Sequence, residues 1–301
     1  MLYQKWAVHK KTRATKAMWE LAREHSPFDL SEIYTPHIGK TKYAIAKGFV
    51  RETHKMLGYD HQHRKYGTRN ATETYRDGRG HCVEQNILLS AMLLRTDIPL
   101  SWMIVKNPKG YEGAFFDIAL HLLVKAVLSK RTYIMDAVSG DMALEHQLIK
   151  CVAKQDIDMR ELVAFYLQDS GDDLALRHDQ FSRAHECFDR ALAIDPNNYT
   201  IHISKGDAFF NEGELTKAEE AYRKASEMTP KLMDALSYYG DFLFEIGHVK
   251  LAKKAYALAL QRKAGDKHII NELETRLQGV KGFREIREEA IRKLLLSTVM
   301  S

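Results

Sequence analysis

The spacing of apolar positions changes twice along the chain. Lys5 to His25 and Lys40 to Leu57 carry apolar residues at helical intervals, separated by a loop that holds Pro27, Pro36 and Gly39. A second loop, Gly58 to Asn70, leads to a short helical patch at Ala71 to Arg76 and a turn at Asp77-Gly78-Arg79-Gly80. A strongly apolar helix is then predicted from His81 or Cys82 to about Arg95, ending before Asp97-Ile98-Pro99. From Pro99 onward the texture is that of strands: Leu100 to Lys106, Asp117 to Val127 and Arg131 to Val138. The turns between them are Asn107-Pro108-Lys109-Gly110 and Leu128-Ser129-Lys130. Helices followed by an antiparallel sheet predict an α+β first half.

The second half is helical and repeats itself. Gly206 returns as Gly240, Gly213 as Gly247, Ala218 as Ala252, Tyr222 as Tyr256 and Ala225 as Ala259, each 34 residues later, and Asp195-Pro196 returns as Thr229-Pro230. Six coincidences at one offset indicate a repeat architecture. Stepping back by the same offset, Ala184, Phe188, Ala191 and Pro196 add a third, partly degenerate unit. Its first helix is expected around Glu161 to Asp173, with Gly171 one place out of register. The pattern resembles the tetratricopeptide repeat, with a small residue where two helices touch, Ala and an aromatic on the second helix, and Pro ending it. Closely packed helix pairs need such small residues at the crossing and an aromatic between layers. Beyond the repeats, Ile269, Leu273 and Leu277, then Phe283, Ile286, Ala290 and Leu294, predict capping helices over 267–278 and 283–296. The expected organisation is therefore a first domain over 1–150, about three repeats over 151–266 and caps over 267–301.

With 301 residues, 45% apolar and 28% charged, the chain has enough material for two domains with cores, which excludes disordered and collagenous classes. Apolar runs such as Ile87 to Leu89 fall far short of the roughly 18 residues a membrane span requires. No apolar segment follows the basic start at Lys5, Lys10, Lys11, Arg13 and Lys16, so no secretory signal and a cytoplasmic location are expected. The net charge of +5 is uneven. Residues 1–150 carry 23 Lys/Arg against 15 Asp/Glu, and the remainder 22 against 25. That mild surplus reads first as solvated surface, and nucleic acid is not an expected partner.

Three widely spaced cysteines, Cys82, Cys151 and Cys187, form neither a disulfide framework nor a paired metal knuckle, and no metal or cofactor is expected. Cys82 differs from the others in its setting. It follows a glycine-flanked turn at the start of a helix, where backbone N–H groups and the helix dipole favour thiolate. The competing reading is a small buried hydrophobe. His121 is the only ionisable residue in the run Ile118 to Val124, and Asp136 lies on the next predicted strand. A hairpin about Leu128-Ser129 would set the two directly opposite, with Cβ atoms about 5 Å apart. A carboxylate there orients an imidazole, either as plain structural support or as part of a nucleophile, base and orienter arrangement. His54, Asp60, His61 and His63, with His81 nearby, are metal-capable types without diagnostic spacing, and the His-x-His of His61 and His63 in a polar, basic loop reads as solvated.

Gly80-His81-Cys82-Val83-Glu84-Gln85, continuing through Leu88 to Arg95 and Ile98-Pro99, then His121 in one strand and Asp136 at the end of the next, resembles the transglutaminase-like superfamily. The match covers roughly residues 40 to 140. The resemblance implies a papain-like thiol domain in which Cys82 is the nucleophile, His121 the base and acid, and Asp136 the orienter. The family often has an aromatic soon after the His and a Pro soon after the Asp, whereas Leu122-Leu123 and Ala137-Val138 stand here, a departure that bears on substrate preference. The implied function is thiol-dependent hydrolysis or acyl transfer at an amide or peptide bond. The repeat groove would bind a protein or peptide. The alternative is an inactive transglutaminase-like scaffold acting through its repeats, and a third reading is a nucleic-acid adaptor that uses the basic first half.

Overall fold

The computed structural model describes residues 16–28, 41–60, 67–96, 98–106, 120–148, 153–228 and 233–262. The expected caps over 267–278 and 283–296, the start of the first helix before Lys16, the turn at 107–110 and Cys151 lie outside these residues. The chain divides into two compact units, Met1–His178 with Asp189–Pro196, and Asp179–Phe188 with Asn197–Ser301.

The first unit opens with helices α1 (Lys16–Glu24), α2 (Lys42–Met56), α3 (Ala71–Asp77) and α4 (Cys82–Leu94). Their starts are chemically marked. Thr41 caps α2 by accepting from the Ala44 N–H, and Asn70 and Glu73 form a reciprocal capping box on α3. A second box, built from His81 and Glu84, starts α4. Helix α4 is buried on every side from Val83 to Leu93. Ile87, Leu88, Leu89 and Leu93 are fully enclosed, each contributing about 1.5–3 kcal/mol by burial. Two short parallel strands, β1 (Gly58–Tyr59) and β2 (Arg79–Gly80), bring Tyr59 beside Gly80 just ahead of α4.

The sheet has five strands, β3 (Leu100–Lys106), β4 (Leu120–Leu128), β5 (Arg131–Asp136), β6 (Asp141–Leu144) and β7 (Ala153–Ile157), in the order β6-β5-β4-β3-β7. Every neighbouring pair is antiparallel. Helix α4 is pinned to it by the Trp102 indole, which donates to Ser90 Oγ at 2.9 Å. A short helix, α5 (Glu145–Leu148), supplies Glu145 to Lys125. The sheet and the long helix α6 (Met159–His178) carry this unit past residue 150, the boundary expected from sequence.

The β4–β5 hairpin corrects the expected register. Its turn is Ser129-Lys130, both residues at positive φ (50° and 67°), with Leu128 opposite Arg131. Two consecutive left-handed residues match the twist of the flanking strands. Compared with a turn at Leu128-Ser129, β5 is shifted by two residues, so His121 and Asp136 are not directly opposed. An even shift preserves the face, and the two remain diagonal neighbours.

A buried ion cluster locks the segments ahead of α4. The Arg69 guanidinium, 1% exposed, meets Asp60 at 2.8 Å and Asp77 and Glu84 at 2.9 Å, and the Arg69 N–H donates to Glu84 Oε1 at 2.6 Å. Asp60 is thus a core ligand of Arg69 and not part of a solvated loop.

Helix α7 (Phe181–Ile194) contributes to both units. The second continues with α8 (Tyr199–Glu212) packed on α9 (Leu215–Met228), and α10 (Met233–Glu245) packed on α11 (Val249–Arg262). The residues that repeat at 34 sit at equivalent places. A Cβ on Gly206 would come within 2.8 Å of the Tyr222 ring, and one on Gly240 within 2.6 Å of the Tyr256 ring. Tyr222 donates to Asp207 and Tyr256 to Asp241. Ala218, Ala225, Ala252 and Ala259 are buried between the helices. Gly213 and Gly247 end α8 and α10 in left-handed conformation, at φ 86° and 82°. Among the described residues, no helix is long and apolar enough to cross a membrane.

Candidate active site

Cys82 occupies the first turn of α4 and is partly exposed. The end of β5 is tied to this turn by Asn86, one turn further along the helix. Asn86 Nδ2 donates to Asp136 Oδ1 at 3.1 Å and to the Cys82 carbonyl at 3.0 Å, while Asn86 Oδ1 accepts from the Ala137 N–H at 3.0 Å. Asp136 Oδ1 also accepts from the Val138 N–H at 3.1 Å, and Asp136 Oδ2 lies 3.1 Å from His121 Nε2. With Nε2 at the carboxylate, Nδ1 is the ring atom left to serve Cys82, whose sulfur hydrogen-bonds the His121 side chain. The three residues singled out from sequence are therefore brought together.

Their electrostatics follow from that arrangement. Burial works against the Asp136 carboxylate, but the His121 hydrogen bond and charge, the Asn86 amide and the Val138 N–H outweigh it and hold the group well below the usual carboxylate range. For His121, burial opposes protonation, yet Asp136 and Cys82 raise the imidazole to about 10. Burial likewise opposes the Cys82 thiolate, and the hydrogen bonds and charges of His121 and His81 bring the thiol down to about 7. The arrangement, at the positive end of a helix, favours thiolate on Cys82 and imidazolium on His121.

Four participants lacked a sequence signal strong enough to single them out for this role. Asn86 lies four residues beyond Cys82 and so on the same helix face. His81, adjacent to Cys82, is 2% exposed and enters the site, away from any solvated loop. Its Nδ1 accepts from the Val83 N–H at 3.3 Å, and its Nε2 lies 3.5 Å from Asp169, 3.7 Å from Glu84 and 3.9 Å from Asp173. Asp169 and Asp173 come from α6, the helix expected to open the degenerate repeat. That helix is in the first unit and also receives the Gly67–Arg69 segment. The Ser170 hydroxyl accepts from the Thr68 N–H at 3.2 Å, and the Thr68 hydroxyl donates to Asp169 at 2.6 Å. The remaining metal-capable residues disperse: His54 Nδ1 contacts the Val138 carbonyl at 2.9 Å, Asp60 binds Arg69, and His61 and His63 lie outside the described residues.

His81, Asp169 and Asp173 are the described side chains whose ligand atoms converge, within 4.8 Å of one another. The Thr68 hydroxyl on Asp169 and the Arg177 guanidinium, 3.2 Å from Asp173, already serve both carboxylates. That is the chemistry of an ion-pair network, and a cation there would face Arg177. Tyr59, 44% exposed, stands nearby. Its hydroxyl is pushed up to about 12 by burial and then by the negative charge of Cys82 and Asp169.

The tetratricopeptide repeat family model matches residues 173–232. No curated protein matches the chain. Among solved structures, a crystal structure of menin, described as revealing its binding site for Mixed Lineage Leukemia (MLL) protein, aligns with 95% of this chain and 67% of its own at 12% identity and a TM-score of 0.52. That likeness is one of fold. The first tetratricopeptide domain of Spaghetti (RPAP3), bound to the HSP90 peptide SRMEEVD, covers 39% of this chain and 92% of its own at 22% identity and a TM-score of 0.32. A putative cysteine protease from Cytophaga hutchinsonii covers 47% of this chain and 44% of its own at 14% identity and a TM-score of 0.30.

Proposed function

We propose that the chain is a thiol-dependent amide hydrolase or acyl transferase of transglutaminase-like type. The observation that carries this reading is the ordered contact of Cys82, His121 and Asp136, with Asn86 bracing the carboxylate. The Cys82 thiolate attacks an amide carbonyl carbon, forming the C–S bond while the C=O electron pair moves to oxygen. The N-terminal end of α4 favours that negative charge. Collapse breaks the C–N bond, and the leaving amine takes the proton from His121. Water, or an amine in the transfer variant, then attacks the thioester and gives its proton to His121 as the C–S bond breaks. Asp136 orients the imidazole throughout. The tetratricopeptide repeats would present a protein or peptide to this domain, and we place both in the cytoplasm as part of the same proposal.

The test is acylation of Cys82 by p-nitrophenyl acetate, read by mass spectrometry as a hydroxylamine-labile acetyl group. The expected result is a burst that Cys82→Ser and His121→Ala both abolish. Acetylation that ignores His121, or none at all, overturns the reading. A second reading, a catalytically silent scaffold, is favoured by the fold likeness to menin, whose structure displays a binding site for another protein. Absence of the burst in a folded chain selects it.

A further inference from the structure

We propose that His81 is a second histidine acting on the Cys82 sulfur, backed by Asp169 as His121 is backed by Asp136; this rests on reading Cys82 as the nucleophile. The His81 ring has two differently occupied edges. Its Nδ1 accepts from the Val83 N–H at 3.3 Å in the first turn of α4, and the ring hydrogen-bonds the Cys82 side chain. Its Nε2 edge points at the carboxylates of Asp169, Glu84 and Asp173, at 3.5, 3.7 and 3.9 Å.

The charges around the ring favour imidazolium. Arg177 pairs directly with Asp173 and Arg69 with Glu84, while Thr68 donates a neutral hydroxyl to Asp169. Burial opposes protonation of His81, but Asp169, Cys82 and Glu84 prevail and raise it to about 10. The two protonation states are structurally distinct at one position. Neutral His81 accepts the Val83 N–H and caps the helix; imidazolium gives that same Nδ1 a proton to donate to the sulfur.

A division of labour follows. In the acyl-transfer sequence the His121 proton leaves with the amine once the C–S bond has formed and returns from water as the thiolate is released, so the charge on His121 comes and goes within each cycle. His81 has its proton held between carboxylates and sulfur, outside the path of the leaving group. His121 moves the proton and His81 keeps the charge.

The experiment is the rate of Cys82 alkylation by iodoacetamide against pH, followed on the Cys82 peptide by mass spectrometry so that Cys151 and Cys187 do not interfere. The full chain is used. His81→Asn is the informative variant, because Asn is itself a good helix cap and preserves the start of α4. The expected result is that His81→Asn and His121→Ala each displace the alkylation profile to higher pH, and that only the double variant titrates as an ordinary thiol, near 8.5. Each unit of displacement slows alkylation at low pH about tenfold. Asp169→Asn follows His81→Asn, and Asp169→Glu restores the original profile. A profile unchanged by His81→Asn in a chain with native circular dichroism overturns the inference. So does a return to ordinary titration with His121→Ala alone. The two readings fail separately. Loss of the acetylation burst with the His81 effect intact removes the catalytic reading, whereas a normal burst with no His81 effect removes this one.

Discussion

Asn86 holds Asp136 from inside the helix that begins with Cys82, donating to one carboxylate oxygen at 3.1 Å while accepting the next backbone N–H, that of Ala137, at 3.0 Å. One amide thus fixes both the strand end and the carboxylate on it. Asn86→Ala leaves an acceptor and a donor buried without these partners, a loss of about 1–3 kcal/mol for each orphaned group. Urea denaturation should show a lower midpoint. Acetylation of Cys82 should slow even where the variant is fully folded, since Asp136 loses its brace.

The acylation rate should be bell-shaped in pH. It rises as the Cys82 thiol ionises near 7 and falls as His121 loses its proton near 10, because the reactive form is thiolate with imidazolium. The two apparent values belong to the pair. Asp136→Asn should narrow the bell from its alkaline side by removing the charge that holds the His121 proton. A profile that climbs continuously to pH 11 contradicts the pairing.

Arg69 is the residue whose loss should damage the first unit most. Removing it buries Asp60 and Glu84 without their cation, an effect of about 3–5 kcal/mol in comparable buried pairs. Arg69→Lys should recover little, because a single ammonium cannot reach three carboxylates with the fork geometry of a guanidinium. Thermal unfolding of the two variants gives the comparison.

In the second unit, buried His202 and part-buried Asp207 give opposite pH slopes over nearly one window. Burial, with Lys224 and Lys205 close by, lowers His202 from 6.5 to about 4. As pH falls through that range the unfolded state takes up a proton that the folded state refuses, so stability is lost on acidification. Burial raises Asp207 from 3.8 to about 6, with Asp241 adding to the effect against the Tyr222 hydrogen bond. Here the folded state keeps its proton longer, and stability is lost as pH rises. Relative to wild type, His202→Gln should gain stability between pH 6 and 4, and Asp207→Asn should gain it between pH 4 and 6.5. Urea midpoints across that range decide each sign.

Much of this architecture was readable before any coordinates. The α4 helix, the strands β3 and β5 and the 34-residue offset follow from apolar period and turn chemistry; the hairpin brought His121 toward Asp136, and only the resemblance to the transglutaminase-like superfamily joined Cys82 to them. The register was not readable, because Ser129 and Lys130 adopt a left-handed pair without the Asn-Gly signature that normally announces one. Strand β7 was also hidden. Its sequence, Ala-Lys-Gln-Asp-Ile, has no alternating apolar face, and pairing with β3 makes it a strand. The helix expected to open the third repeat departs from the pattern for a local reason: Asp169, Ser170 and Asp173 face His81 and Thr68, and so answer to the first unit.

The Gly–Tyr–Asp contacts of the second unit close within single helix pairs: Gly206 and Asp207 with Tyr222, Gly240 and Asp241 with Tyr256. A module whose internal lock needs nothing from its neighbour is an interchangeable part. Lengthening or shortening this half of the molecule by whole 34-residue units would leave each remaining lock intact, so the second unit can change length while the first stays as it is.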